Sequence, residues 1–258
     1  METASAPHTF ARPAADGSGE RAARLRRWMR VSCTVIEILV VETIVCGIAA
    51  IPSVALWMQL AASTRDSPGL RVALTALFAV PSYVLFALIL MACSAAATWI
   101  TRARTAPDVE LRLHDLDWPL LRWVRYMVAT HIVRALAGWL FRGSPVWTTY
   151  LRLNGARIGR GVYVNTLAIT DHNLLELGDG VIIGDAVHIS GHTLERGVVK
   201  TGRVVLASCV MVGLGSVIGI GVVAETGCQI GALSFVPKNA HLEAGATYAG
   251  VPARKLGV

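Results

Sequence analysis

One histidine stands where the chain breaks its own rhythm. The segment Gly191-His192-Thr193-Leu194-Glu195 leaves a regular pattern of apolar residues, and the chain returns to it through Lys200 and Arg203. An imidazole titrates near pH ~6.5, so it can take up and return a proton under neutral conditions. On a segment ejected from a rigid scaffold it is well placed for general-base work. His172 and His188 lie nearby and are equally consistent with polar surface or packing. Cys33, Cys46, Cys93, Cys209 and Cys228 show no metal-ligand spacing, so neither a zinc site nor a disulfide framework is expected.

The frame around His192 has a six-residue period. Leu206, Val212, Ile218, Ala224, Ile230, Val236 and Leu242 form one register, usually followed by glycine, and Val210, Ser216, Val222, Cys228, Ser234, Ala240 and Ala246 form a second register of small or branched residues. An earlier block runs through Leu177, Ile183 and Ile189. Such a period is the signature of a hexapeptide β-solenoid, in which stacked coils bury a core that no single repeat can bury. Ile189 and Leu206 are seventeen residues apart, so the phase is lost between them; this is the only interruption expected in the second half of the chain.

Composition divides the molecule. Of 258 residues, 54% are hydrophobic and only 16% charged, too apolar for one soluble domain. The excess lies in Val31–Leu60 and Val72–Ile100, each longer than the ~20 residues needed to cross a hydrocarbon core, joined by a polar link. Arginines at 21, 24, 26, 27 and 30 and at 102 and 104 flank this hairpin, which predicts both termini and the C-terminal domain on the cytoplasmic side of a bacterial inner membrane. The net charge of +7 then describes a collar facing membrane lipids. No reader motif points to nucleic acid.

The expected organisation is a disordered basic arm over 1–27, a transmembrane hairpin over 28–104, a linker and helix over 105–144, and a repeat domain over 145–258. Asp117 and Pro119 open that helix, which either lies in the headgroup layer or plugs the open end of the solenoid. Glu37 and Glu42 sit inside the first apolar span, where a carboxylate is costly unless paired or facing a polar interior. They are read as part of a membrane path or as a packing device between protomers.

The hexads, His192 and the ending Gly250-Val251-Pro252-Ala253-Arg254 resemble the hexapeptide-repeat acyltransferases. Within that superfamily, Leu177-Gly178-Asp179-Gly180, His192–Glu195, Lys200 and Arg203 are closest in spacing to the membrane-embedded terminal domains of nonribosomal-peptide-synthetase-like proteins of the ε-poly-lysine synthetase kind. The resemblance covers about residues 145 to 258. It implies a mainly β fold, a left-handed parallel β-helix following the two-helix hairpin and an amphipathic interfacial helix.

It also implies an acyltransferase in which His192 is the general base, assisted by Glu195. Asp171, Asn173, Asn165 and Lys200 are then acceptor-binding candidates, with Asn173 departing from an acid usual in the synthetase-like domains. Ser234, Lys238, Arg254 and Lys255 fall where relatives hold the pantetheine arm and phosphates. The donor is expected to be acyl-CoA or a phosphopantetheinyl carrier protein supplied as a separate partner, with no tightly bound cofactor or metal. The acceptor is a small-molecule amine or hydroxyl, and peptide-like natural-product biosynthesis is the expected setting. A homotrimer would rebuild the three-domain, six-helix arrangement of the synthetase-like proteins. An acetyl-CoA-dependent O- or N-acetyltransferase on a small or lipid-linked acceptor, and a non-catalytic membrane scaffold, are the alternatives.

Overall fold

The computed structural model of the chain describes residues 17 to 257. Helix α1 spans Gly17–Ser63 and helix α2 spans Pro68–Ile100. Of the arm expected over 1–27, residues up to 16 lie outside the described ones. From Gly17 the chain is helical, because Ala, Arg and Leu in this stretch are strong helix formers. Pro68 opens α2, and Arg71 ties the preceding turn by donating to the carbonyls of Thr64 and Arg65.

Both helices are long and apolar enough to cross a membrane, and only 17% and 22% of residues in their most apolar stretches are buried. A helix in a soluble core would bury most of that surface. Burial in α2 is confined to its C-terminal part, from Ser82 to Thr98, where other elements pack on it.

Helix α3 spans Trp118–Val133, with the Asp117 carboxylate capping Leu120 N at 3.1 Å and Pro119 in its first turn. It runs along both long helices, and Arg125 reaches Glu37 of α1 at 2.9 Å. It continues into a π-helical turn, Arg134–Gly138, that the sequence pattern did not suggest. Gly138 lets this turn approach the solenoid, since a Cβ there would lie 3.1 Å from Leu167. The plug is instead the short helix Pro145–Leu153, which buries Trp147, Tyr150 and Leu151 against the first coil; Trp147 Nε1 donates to Thr166 O at 3.0 Å.

From Arg157 the chain winds a parallel β-helix whose two-residue rungs stack on three faces. Ile158, Leu177, Leu206, Ala224 and Leu242 align on the first face. Val164, Ile183, Val212, Ile230 and Tyr248 align on the second. Ile169, Ile189, Ile218 and Val236 align on the third. All of these but the partly buried Ile158 belong to the buried core, and the residue before each faces outward.

Glycines at the corners serve close stacking. A Cβ on Gly213 would fall 2.4 Å from Ala232 N of the next coil, a contact with backbone that no side-chain movement relieves. Gly213→Ala is therefore expected to cost ~1–3 kcal/mol of stability, read as a lowered thermal midpoint.

Sequence spacing indicates one break in the ladder; the structure has two. The longer one, between Ile189 and Leu206, is an antiparallel hairpin rather than an open loop. Its strands are His192–Glu195 and Val198–Thr201, and Glu110–Arg112 adds as a third strand beside the second. The shorter one, between Ile169 and Leu175, is a 3-10 turn over His172–Leu174 that begins at Asp171 in a left-handed backbone conformation (φ 50°).

Candidate active site

The two breaks face each other across one coil, and their contact is the site. His192 opens the hairpin, and its Nδ1 lies 2.6 Å from Oδ2 of Asp171. The Asp171 side chain is fully buried, whereas that of His192 retains 22% exposure. A carboxylate accepts hydrogen bonds, so Nδ1 carries the proton and Nε2 is left as the basic nitrogen. Gly191 permits the approach, since a Cβ there would fall 2.7 Å from Asp171 Cβ.

Asp171 is itself fixed from the other side. Its Oδ1 accepts from Thr105 Oγ1 at 2.8 Å and from Trp123 Nε1 at 3.1 Å. The Trp123 ring stands edge-on to the imidazole, with centroids 4.9 Å apart. Thr105 is held by Asn173, which accepts from Thr105 N at 3.3 Å and donates to Thr105 O at 2.7 Å. The linker after α2, helix α3 and both solenoid breaks thus converge on one imidazole. Such buried bracing fixes both the orientation and the tautomer of a catalytic histidine.

Asp171 and Asn173 were candidates for holding an acceptor, but Asp171 is sealed behind His192 and Asn173 has its amide engaged by the Thr105 backbone. Both position the histidine. Thr105 and Trp123 are the site residues that sequence reasoning missed. A faint signal existed in the four consecutive polar residues, Thr170, Asp171, His172 and Asn173, between apolar Ile169 and Leu174.

His192 overlooks a groove of about 560 Å³ between the hairpin and the third face of the solenoid. Its floor is His188, Val217 and Phe235, stacked in register as outward residues, and Lys238 closes one end. Glu195 also lines it, but its carboxylate is engaged by Lys238 and, at 3.8 Å, by Lys200. The Lys238 bond is the main cause holding the Glu195 carboxyl below its ordinary range. Glu195 therefore anchors the hairpin to the solenoid wall and is not the partner of His192. Lys200 pairs further with Glu110 at 3.2 Å, across the hairpin from the groove.

The remaining donor and acceptor candidates separate. Ser234 is buried, and its hydroxyl accepts from Gly250 N at 3.2 Å, so it belongs to the core because its register position faces inward. Asn165 follows the rung Tyr163–Val164 on the second face and does not line the groove. Arg254 and Lys255 lie on the final strand, Ala253–Lys255, where Lys255 pairs with Glu243 at 2.5 Å; neither lines the groove. Lys238 alone of the four donor candidates meets it. Among the described residues, no group of three or more His, Cys, Asp or Glu is placed to hold a metal ion.

His172 sits behind the dyad, buried edge-on against Tyr126, Trp147 and Tyr150. Burial is the largest cause that lowers its pKa to about 4. The unfolded chain binds a proton there near pH ~6.5 and the folded chain does not, so stability falls as pH drops from 6.5 towards 4. The loss amounts to about 3 kcal/mol over that window. His172→Phe, which keeps the aromatic contacts, is expected to flatten this dependence, as thermal midpoints at pH 7 and pH 5 would show.

No family model matches the chain. A curated relative, the delta-poly-L-ornithine synthetase of Acinetobacter baumannii, is 29% identical over 137 residues, which cover 53% of this chain and 10% of that protein. The match thus spans about a tenth of the relative's length. Among solved structures, a maltose O-acetyltransferase from Clostridium difficile is 16% identical, with a TM-score of 0.44, covering 58% of this chain and 91% of that one. A hexapeptide-repeat acetyltransferase from Vibrio cholerae, complexed with acetyl coenzyme A, is 24% identical with a TM-score of 0.36, covering 40% and 60%.

Proposed function

We propose that this chain is a hexapeptide-repeat acyltransferase that transfers an acyl or aminoacyl group from a pantetheine thioester to an amine or hydroxyl, with His192 as general base. The observation that carries the proposal is the Asp171–His192 pair, braced by Thr105 and Trp123 and open on one side to the groove. A groove floored by Val217 and Phe235 suits an extended pantetheine arm, and Lys238, paired with Glu195, stands at its end with ammonium donors left over for a phosphate.

In the reaction, His192 Nε2 removes the acceptor's proton as its nitrogen or oxygen attacks the thioester carbonyl. Collapse of the tetrahedral adduct breaks the carbon–sulfur bond, and the proton passes from His192 to the departing thiolate. A thioester is already activated, so no covalent enzyme intermediate is needed.

The apolar, exposed outer surfaces of α1 and α2 support a membrane-spanning hairpin, and the arginines flanking it are the support for a solenoid on the cytoplasmic side of a bacterial inner membrane. Exposed apolar residues stacked on the solenoid, Met211 on Ile182 and Leu233 on Leu214, support contact with neighbouring copies, and three copies would rebuild the expected six-helix arrangement. Glu37, paired with Arg125, reads as a device joining α1 to α3. Glu42 lies near the same arginine in a small gap lined by Thr98 and Ala129.

The test is to incubate the purified protein with labelled acetyl-CoA and, separately, with a loaded carrier protein, each with a mixture of amine and hydroxyl acceptors. Free thiol and labelled product in either arm are expected, and the productive arm identifies the donor. No thiol release in both arms would leave a membrane scaffold as the better reading.

A further inference from the structure

A second trough, of about 570 Å³, opens between the π-helical turn and the first coil, lined by His131, Arg134, Trp139, Arg142, Leu167 and Asp185. It adjoins the His192 groove. Ala168 lines it, and the pairing of Ile169 with Ile189 sets Ala168 beside His188, which floors the groove. His188 feels both neighbours: its pKa is lowered first by burial, then by His192 and Arg134.

The trough is cationic. Arg142 donates to Asp185 at 2.6 Å and stacks over the Trp139 ring at 5.3 Å, which leaves part of its fork of donors unused. Arg134 has no carboxylate partner among the described residues; its Nη2 lies 2.7 Å from His131 Nδ1. One carboxylate therefore faces two guanidinium groups.

Its depth is set by α2. A hydrocarbon core of about 30 Å takes about 20 helical residues, which counted from Pro68 ends near Ala87. Tyr83 of α2 donates its hydroxyl to Leu136 O in the π-helical turn. Tyr83 lies about one helical turn short of that end, so the turn, with exposed Leu136, Trp139 and Leu140, falls at the boundary between hydrocarbon and headgroups on this membrane reading, where tryptophan and arginine are favoured.

We propose that this trough is the acceptor site and takes an amphiphile whose headgroup carries a phosphate or carboxylate. Arg134 and Arg142 hold its phosphate or carboxylate headgroup, its tail lies along Leu136, Trp139 and Leu140, and its amine or hydroxyl reaches His192. The proposal rests on the acyl-transfer and membrane readings above, and binding measured without donor separates it from them.

The experiment compares a short-chain phosphatidylethanolamine with glycerophosphoethanolamine, the same phosphodiester headgroup without tails, binding to the full chain in neutral detergent. The wild type and His192→Ala are expected to bind the lipid at least tenfold more tightly than the headgroup. The double variant Arg134→Gln/Arg142→Gln is expected to lose at least tenfold for both probes while binding coenzyme A as the wild type does. Equal affinity for the two probes would overturn the amphiphile, and undiminished lipid binding by the double variant would overturn the site. Lipid binding as expected in a protein that releases no thiol would uphold the site and defeat the acyl-transfer reading.

Discussion

His192→Ala is expected to slow acyl transfer by about 10²–10⁴-fold, the usual worth of a positioned general base. The chain should remain folded and assembled, because the imidazole lies at the mouth of the groove and not in the core. Donor binding should also persist, since the groove floor and Lys238 are untouched, so the loss is expected in kcat with little change in KM for the donor. Turnover and coenzyme A affinity measured on the same preparation check both halves. A variant retaining wild-type turnover would remove His192 from the mechanism, and one that loses donor binding as well would assign it to binding.

The second large effect is expected from Asp171→Asn. The amide preserves volume, and its oxygen can still accept from Thr105 and Trp123, so folding is expected to survive. Facing His192, however, the amide donates where the carboxylate accepted. Nδ1 must then become the acceptor and the proton moves to Nε2, the nitrogen that has to accept the substrate's proton. A loss of up to about 10⁴-fold is expected, as for other buried aspartates that fix a catalytic histidine's tautomer. Raising the pH should not restore the rate, because the fault is the proton's position and not its occupancy. A pH–rate profile of the variant distinguishes this from a histidine that is merely displaced. Asp171→Ala is the poorer probe, since it strands the buried donors of Thr105 and Trp123.

Much of this architecture is written in local pattern. The hexads from Leu206 to Leu242 are six-residue steps of one inward register, and the structure stacks them as that period requires. The phase loss after Ile189 located the hairpin and His192. What local pattern does not carry is pairing across distance. Asp171 meets Thr105 and Trp123, 66 and 48 residues away, through a turn that adds only a few residues to a coil. Asp171 and Asn173 were legible as polar residues near the site, but their roles depend on which side of the coil wall they face. Ser234 differs: its place in the register of small residues already pointed inward, and the structure buries it there with Ser216 and Cys228. The π-helical turn at Arg134–Gly138 has no compositional mark, although Gly138 is the residue that brings it against Leu167.

The central claim is that the braced imidazole faces a bound thioester arm in the groove beneath the hairpin. An experimental map of the full chain with coenzyme A bound tests it most directly. Pantetheine density is expected to run over Val217 and Phe235, with the sulfur beside His192 Nε2 and room for an acceptor atom within about 3.2 Å of that nitrogen, directly or through one water. Pantetheine density on another face of the solenoid, with its sulfur remote from His192, would contradict it.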